Sequence, residues 1–325
     1  MEKYVLDWFD IIENMHNANT YKLAWGRSIL EIAVNDEYQV VGDDAIVKFD
    51  QIAQKMLKYY WNQTHFFHLQ QGPVSQKPVI LQFVDEAIMK YESISGSSFP
   101  VWFNYAEEAL RKDVRFYQRL IKKISNVLPQ NVSFRFLKNG EHSTDLYAIS
   151  KRDGSNVVVF SLFNMHTLHE YGILLTKVLN YKWAQLLETF NRSPRVAHKV
   201  SGSQEQRIRR SNLAKYRALL MKLHEEGQVT DFYTGDILAP NDVTIDHVIP
   251  WSFMYSDDIW NMVFTSKSQN SKKSNLIPTA DAIDRLKQQN QKLIRLLGNN
   301  DETFHQLQEA IRLDLVDKFF TDCRQ

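Results

Sequence analysis

One stretch constrains the fold of this 325-residue chain more than any other, because it ends a predicted strand on two chemically active side chains. Val243-Thr244-Ile245 consists of three β-branched residues and predicts a strand that delivers Asp246 and His247. Pro250 then breaks that strand. The polar run 265–273 predicts a short helix with a threonine or serine cap. Together these elements predict a small unit of strands and one helix.

A second strand, entering a turn, is predicted over residues 232–235. Two strands and a helix would bring Asp246, His247 and Asn270 together. A carboxylate, an imidazole and an amide can hold one hard divalent cation and activate a water beside it. Taken singly, each residue favours a structural interpretation, since Asp-His pairs in strands and asparagines in loops are common. Only the ordered set points to phosphodiester cleavage.

The ordered set resembles the HNH endonuclease family, whose core is a ββα-metal fold. The resemblance rests on residues 246–253, on 259–261 and on 270–275. It is most similar to the HNH domain of RNA-guided CRISPR effector nucleases, which also ends the motif with asparagine. The resemblance implies nothing about residues 1–200.

The resemblance implies a role for each matching residue. His247 would be the general base that takes a proton from the attacking water. Asp246 and Asn270 would hold the metal, and Asn261 would fix the loop that orients His247. Because one carboxylate and one amide oxygen are hard, weak ligands, they suit Mg²⁺ or Mn²⁺ better than Zn²⁺.

Many members of this family bind a structural zinc with two Cys-x-x-Cys pairs around the motif. Here the matching positions are Asp231 and Thr234, then Ser266 and Gln269. The chain has one cysteine, Cys323, so no structural zinc is expected. Aromatic packing is expected to stabilise the motif instead, through Phe232, Tyr233, Trp251, Phe253 and Trp260.

Positive charge is concentrated just before the motif, although the whole chain carries a net charge of only +1. A helix predicted over 204–226 would place Arg207, Arg210 and Arg217 at similar angles, away from its leucine face. Such a surface suits phosphate contacts, and a solvated helix face is the structural alternative. Three lysines of the predicted catalytic helix are expected to contact phosphates that flank the cut: Lys267, Lys272 and Lys273.

The remaining sequence predicts a mostly helical α+β fold in two domains. Residues 1–190 are predicted as a mainly helical domain for targeting or docking, with a small antiparallel sheet at about 132–162. Residues 191–325 are predicted as the nuclease domain, with its ββα core at 231–275. In the first domain, the helical region extends to Pro129, and one continuous pattern spans Ala106–Ile124. In the second, two closing helices divide at Gly298-Asn299-Asn300.

These observations predict a metal-dependent HNH endonuclease that hydrolyses phosphodiester bonds in DNA. One ββα-metal site cuts one strand, so a monomer should nick. DNA follows from the family resemblance alone, since the chemistry of the site also admits RNA. The predicted context is a prokaryotic anti-phage defence or restriction system, with a protein of that system as a candidate partner. Two alternatives stay open: a nucleic-acid-binding or adaptor protein with an inactive nuclease remnant, and a homing or mobile-element nuclease.

A cytoplasmic location is expected. A single cysteine fits a reducing compartment. The sequence contains no apolar run of about 18 residues, so no contact with a membrane is expected.

Overall fold

A computed structural model describes residues 3–72, 77–139, 142–191, 193–201, 213–224, 228–297 and 302–324. The chain divides into two compact units. The first unit is Met1–Asn191 with Val196–Ser201, and the second is Arg192–Arg195 with Gly202–Gln325. The predicted α+β class, mostly helical, is confirmed. Among the described helices, none is both long enough and apolar enough to cross a membrane.

The first unit is built mainly from helices whose apolar faces pack together. In chain order they are α1 (Lys3–Asn14), α2 (Tyr21–Val34), α3 (Phe49–Tyr60), α4 (Val79–Ser95), α5 (Phe103–Lys112), α6 (Val114–Asn131), α7 (Ser133–Phe136), α8 (Leu162–Glu188) and α9 (Val196–Ser201). A π-helical turn, Trp61–Phe66, extends α3. Helix α8 packs against α1, α2 and α9. The core is rich in aromatic side chains, and Trp8, Trp25, Trp61 and Trp183 are fully buried.

An antiparallel sheet of four strands completes the first unit. The strands of this unit are β1 (Gln39–Val41), β2 (Asp44–Lys48), β3 (Lys138–Asn139), β4 (His142–Ser143), β5 (Ala148–Arg152) and β6 (Ser155–Ser161). The sheet has the order β1-β2-β6-β5, and β3 pairs with β4 separately. A two-residue turn at Asp153 and Gly154 joins β5 to β6, and both residues have positive φ as such a turn requires.

Three predictions for the first unit are corrected. Strands β1 and β2 lie in a region predicted to be entirely helical, and they complete the sheet by pairing with β6. Phe134 and Phe136 belong to α7 and not to a strand, because Phe136 turns inward against Trp8 while Phe134 stays exposed. Helix α6 continues past Pro129 to Asn131. Leu128 and Val132 flank the proline and are fully buried, so their burial offsets one lost backbone hydrogen bond.

The continuous helical pattern predicted over Ala106–Ile124 is divided in the structure. Helix α5 ends at Lys112 and α6 begins at Val114. Asp113 separates them, and its carboxylate accepts a hydrogen bond from the Phe116 backbone nitrogen at 3.1 Å. This contact caps the start of α6. The apolar positions recur with a continuous helical spacing in the sequence, but the chain forms two helices because a new one begins at this cap.

The second unit contains a two-stranded hairpin surrounded by helices. Its elements are α10 (Ala214–Met221), β7 (Val243–His247), α11 (Trp251–Met254), β8 (Met262–Ser266), α12 (Lys267–Lys273), α13 (Ala280–Leu296), α14 (Glu302–Arg312) and α15 (Leu315–Cys323), with a 3-10 turn at Ile259–Asn261. Strands β7 and β8 are antiparallel, with Val243 opposite Ser266 and His247 opposite Met262. Since an isolated hairpin is marginal in water, the helices must supply most of the burial. Leu286 and Leu293 of α13 belong to the same buried cluster as Met262 and Val263 of β8.

The strand that pairs with β7 is not the predicted one. Residues 232–234 form a turn, and an isolated bridge next to them joins Thr230 to Ile237. The partner is β8, whose residues Met262, Val263 and Phe264 are buried. The predicted ββα order therefore holds with a different second strand, and the polar run after β8 forms α12 as predicted.

The predicted helices on either side of the core also differ from the structure. Helix α10 ends at Met221, before the predicted end at residue 226, and residues 202–212 and 225–227 lie outside the described residues. The end of the chain forms α13, α14 and α15, where two helices were predicted. Asp314, with φ of 53°, separates α14 from α15. The predicted division at 298–300 lies outside the described residues.

Candidate active site

Helix α12 is attached to β7 by side-chain contacts, and this attachment assembles the site. Ser266 caps the helix, its Oγ accepting a hydrogen bond from the Gln269 nitrogen at 3.2 Å. Asn270 Nδ2 donates to the Ile245 carbonyl at 3.4 Å, and Lys273 Nζ donates to the His247 carbonyl at 2.5 Å. Asn270 is thereby placed beside the strand residues Asp246 and His247. The structure thus brings together the three residues predicted to act.

The Asp246 carboxylate is buried and is oriented through one of its oxygens. Tyr233 donates its hydroxyl hydrogen to Oδ2 at 2.6 Å, and Lys273 Nζ lies 3.1 Å from the same oxygen. Burial and the nearby Asp246 charge raise the pKa of Tyr233 well above its usual value, so Tyr233 remains a neutral donor. Both contacts use Oδ2, which leaves Oδ1 for a cation.

Lys273 lies inside the site, whereas the sequence predicted it at a phosphate. Its side chain is only 11% exposed and contacts both the Asp246 carboxylate and the His247 carbonyl. Burial lowers the pKa of Lys273, and the Asp246 charge partly opposes that shift. Lys267 and Lys272, on the same helix, are exposed.

His247 contacts a carboxylate that the sequence analysis did not include in the site. Its Nε2 lies 3.0 Å from Asp257 Oδ1, and the two side chains are 11% and 10% exposed. The Asp257 backbone carbonyl in turn accepts a hydrogen bond from the Tyr216 hydroxyl at 3.0 Å. Asp257 is therefore buried against the His247 imidazole. The separation of ten residues across a loop gave no sequence signal for this contact.

Asn261 is fully buried and closes the segment that follows His247. Its Oδ1 accepts from the Ile249 nitrogen at 2.8 Å, and its Nδ2 donates to the Ile249 carbonyl at 2.9 Å. The Val248 nitrogen also donates to the Asn261 carbonyl at 2.9 Å. These contacts join Asn261 to the two residues that follow His247, and its loop-fixing role stays a prediction.

Asp231 connects the two turns at which many HNH domains bind zinc. Its Oδ1 accepts from the backbone nitrogens of Tyr233 and Thr234 at 2.8 and 3.2 Å. Its Oδ2 accepts from the Thr265 hydroxyl at 2.9 Å and from the Ser266 nitrogen at 2.8 Å. Burial raises the pKa of Asp231, but these hydrogen bonds outweigh burial and hold the pKa below its usual value. One carboxylate therefore links the segments that a zinc ion would otherwise join.

From the sequence, Asp231 was identified only as a position where many family members have a zinc-binding cysteine, although an aspartate that leads a turn is a signal for the role found here. Aspartate side chains commonly accept hydrogen bonds from backbone nitrogens two and three residues later. The predicted aromatic packing is also present in part. Phe253 and Trp260 are buried in the core, and Trp260 stacks on Phe319 with ring centres 5.9 Å apart. Phe232 and Tyr233 are half-buried against the same core.

Replacing Asp231 with asparagine is expected to destabilise the second unit by about 1–3 kcal/mol, because a buried amide cannot accept all four hydrogen bonds. Hydrogen exchange at the Tyr233 and Ser266 amides should accelerate. The stabilisation by Asp231 should be fully present above the unfolded-state pKa of about 3.9 and be lost as the pH falls through the lower folded-state pKa. The exposed Asp236→Asn variant is the matched control, and equal exchange rates in both variants would contradict the role given to Asp231.

The predicted basic surface before the motif is described only in part. Arg217 as a whole is exposed. Its guanidinium nevertheless donates hydrogen bonds to the Val243 carbonyl at 3.3 and 3.2 Å. The apolar face of the same helix is buried as predicted, through Tyr216 and Leu220. Arg207 and Arg210 lie outside the described residues.

Comparison with known proteins identifies the two parts of the chain. The model of the family described as HNH endonuclease matches residues 231–279. The model of a family described as a domain of unknown function (DUF8808) matches residues 9–205, more than half of the chain. The chain belongs to this DUF8808 family. Its residues 231–279 form an HNH endonuclease domain similar to that of CRISPR effector nucleases.

A curated relative of this DUF8808 chain is a much longer protein. The CRISPR-associated endonuclease Cas9 of Streptococcus mutans is 34% identical to it over 90 residues. That match covers 27% of this chain and 7% of the relative. No solved structure matches the chain. The HNH domain supports nuclease activity with a nucleic-acid substrate, and HNH nucleases depend on a metal.

The residues of the site fit a hard divalent cation. Asp246 offers Oδ1, since Oδ2 is already bound by Tyr233 and Lys273. Asn270 uses its amide nitrogen on the Ile245 carbonyl, which leaves its amide oxygen as a second hard donor. Water and phosphate oxygens would complete the coordination of such an ion.

Proposed function

We propose that this protein is a DNA endonuclease that hydrolyses phosphodiester bonds with one Mg²⁺ or Mn²⁺ ion. The observation that carries the proposal is the attachment of α12 to β7, which sets Asn270 beside Asp246 and His247. Mg²⁺ and Mn²⁺ are favoured because both donors left for the ion are oxygens. DNA is favoured by the family resemblance of the motif.

Each residue of the site would have a different role in the reaction. Asp246 Oδ1 and Asn270 Oδ1 would hold the cation, which when bound supplies positive charge that stabilises the phosphate and the leaving 3′ oxygen. His247 accepts a proton from the attacking water as the water oxygen bonds to phosphorus. The bond from phosphorus to the 3′ oxygen then breaks, and one strand is cut per site.

The contact with Asp257 supports a choice between the two nitrogens of His247. Asp257 Oδ1 lies 3.0 Å from Nε2, so it favours the tautomer with the hydrogen on Nε2. Nδ1 is then left unprotonated and can accept the proton of the water. Asp257 is thus proposed as a positioning residue that acts through His247.

The exposed cations are proposed to contact the substrate backbone. Lys267 and Lys272 lie on the exposed side of α12, and phosphate contacts there would flank the cut. The same role is proposed for Arg217, Arg207 and Arg210, which belong to the segment before the motif. Lys273 has a different proposed role, which is to balance the buried charge of Asp246.

The proposed biological role is a prokaryotic anti-phage defence or restriction nuclease in the cytoplasm, which acts with a partner protein of that system. The similarity of the HNH domain to a CRISPR-associated endonuclease supports this context. The first unit would then serve targeting or docking. A homing nuclease differs by a long defined target, which mapping of the cut positions would reveal.

A plasmid assay tests the proposed function directly. Purified protein with Mg²⁺ or Mn²⁺ is expected to convert supercoiled plasmid into the open circle, and a chelator should stop the reaction. A single-stranded RNA of matched length tests the choice of nucleic acid. If the protein binds DNA but cuts no substrate with any of these cations, the adaptor with an inactive nuclease remnant becomes the better description.

Replacing Asp257 with alanine is expected to lower the nicking rate by about 10- to 100-fold, as for other residues that orient a catalytic side chain. The nitrogen-15 NMR shifts of His247 in the metal-free protein should change from the Nε2–H tautomer to a mixture. Asp258→Ala is the matched control, since Asp258 binds Ser256 and not His247. An unchanged tautomer in Asp257→Ala would remove the positioning role, whatever its activity.

A further inference from the structure

Helix α8 of the first unit exposes a row of large apolar side chains to solvent. Phe163 is 67% exposed, Ile173 62%, Leu174 47% and Tyr181 60%. Helical periodicity places all four on one side of this 27-residue helix, opposite the buried face that includes Leu168, Leu175 and Leu179. Single exposed apolar residues are ordinary on protein surfaces, but a row of them along one helix marks an interaction site. We call this row the α8 face.

Two opposite charges lie along the centre of the α8 face. Glu170 and Lys177 are both exposed and lie two helical turns apart on nearly the same line. Glu170 stands three residues before Ile173, and Lys177 stands three residues after Leu174. The charges are therefore arranged symmetrically, with opposite sign, about the midpoint between Ile173 and Leu174.

This symmetry identifies the kind of partner. In a two-fold dimer the same patch is used by both subunits, so the patch must complement itself. An antiparallel second α8, related by an axis between Ile173 and Leu174, would face Glu170 with its Lys177 and Lys177 with its Glu170. The same pairing sets His166 opposite Tyr181, because they stand seven residues before Ile173 and seven after Leu174. Binding to an unrelated partner would not explain why these residues are arranged symmetrically along α8.

We propose that the α8 face binds the α8 face of a second copy of this chain in an antiparallel, two-fold dimer. The apolar row supplies the buried surface, and the two Glu170–Lys177 pairs fix the direction and the register. The proposal does not depend on the nuclease function. A dimer would nevertheless carry two HNH domains, which is the number that cutting both strands of DNA needs.

The test measures the mass of the full-length protein in solution by sedimentation or light scattering. The wild-type chain is expected to be a dimer at micromolar concentration, and Leu174→Glu a monomer. Glu170→Lys and Lys177→Glu should each weaken the dimer by at least about tenfold, because each places two like-charged pairs in the interface. Glu108→Lys, at an exposed position of α5, is the matched control and should leave the mass unchanged.

Mixing the two charge variants is the decisive measurement. A Glu170→Lys chain paired with a Lys177→Glu chain has opposite charges at both contacts, so the mixture should dimerise as well as the wild type. Circular dichroism confirms that each variant is folded. A wild-type monomer at about 100 micromolar, a dimer that survives Leu174→Glu, or a mixture no tighter than the separate variants would each overturn the proposal.

Discussion

His247→Ala is expected to reduce the rate of plasmid nicking by about 10²- to 10⁴-fold, which is the usual contribution of a positioned general base. The imidazole is 11% exposed, and its Nε2 lies 3.0 Å from Asp257 Oδ1. The measurement is the initial rate of open-circle formation at saturating Mg²⁺. Binding of DNA, measured separately, should change little.

The matched control is His305→Ala, which removes an exposed imidazole of α14. It should nick at the wild-type rate. Equal rates for His247→Ala and the wild type would show that the activity belongs to another site or to a contaminant. Loss of activity together with loss of DNA binding would show that the substitution had damaged the fold, and thermal unfolding would confirm that outcome.

Asp246→Asn is expected to reduce nicking by about 10³-fold, since charge stabilisation by a bound cation contributes several kcal/mol to such reactions. The substitution keeps the size of the side chain and its contact with Tyr233, but it removes the negative charge that attracts the ion. Binding of Mn²⁺, followed by electron paramagnetic resonance without any substrate, should weaken in parallel.

Asp236→Asn serves as the control, because Asp236 is an exposed aspartate of the same unit. It should bind Mn²⁺ as the wild type does. If Asp246→Asn retained both Mn²⁺ affinity and nicking, the cation would have to bind elsewhere. If it lost nicking but kept Mn²⁺ affinity, Asp246 would act on the substrate and not on the ion.

The link made by Asp231 explains how this HNH domain can fold without four cysteines. Zinc joins two turns by coordinating a thiolate pair from each, and its binding contributes directly to folding. Asp231 joins the same two turns with hydrogen bonds to Tyr233, Thr234, Thr265 and Ser266. A charged acceptor with four donors is satisfied when buried, so the replacement costs little electrostatically. The α13 helix then covers the hairpin with apolar side chains.

Local sequence patterns predicted the central part of the site well. The β-branched run before Asp246 predicted β7, and the polar run after Thr265 predicted α12 with its serine cap. Both depend on residues close in sequence, and short-range preferences are strongest there. The prediction of the strand opposite β7 was wrong, because the choice of pairing partner depends on contacts between segments that are distant in sequence. Strands β1 and β2 were missed for the same reason, since β2 pairs with β6, more than a hundred residues later in the chain.

The roles proposed for Asp246, His247 and Asn270 were predicted from residue types, spacing and the family resemblance, since each group has a characteristic preference for cations or protons. The partners of those groups were not. Tyr233, Lys273 and Asp257 reach the site from a turn, from a helix end and from a loop. The sequence predicted Tyr233 as aromatic packing and Lys273 as a phosphate contact, and it gave no signal for Asp257. Hydrogen bonds between distant segments depend on how the chain packs, and packing is decided by the burial of the whole core rather than by any short segment.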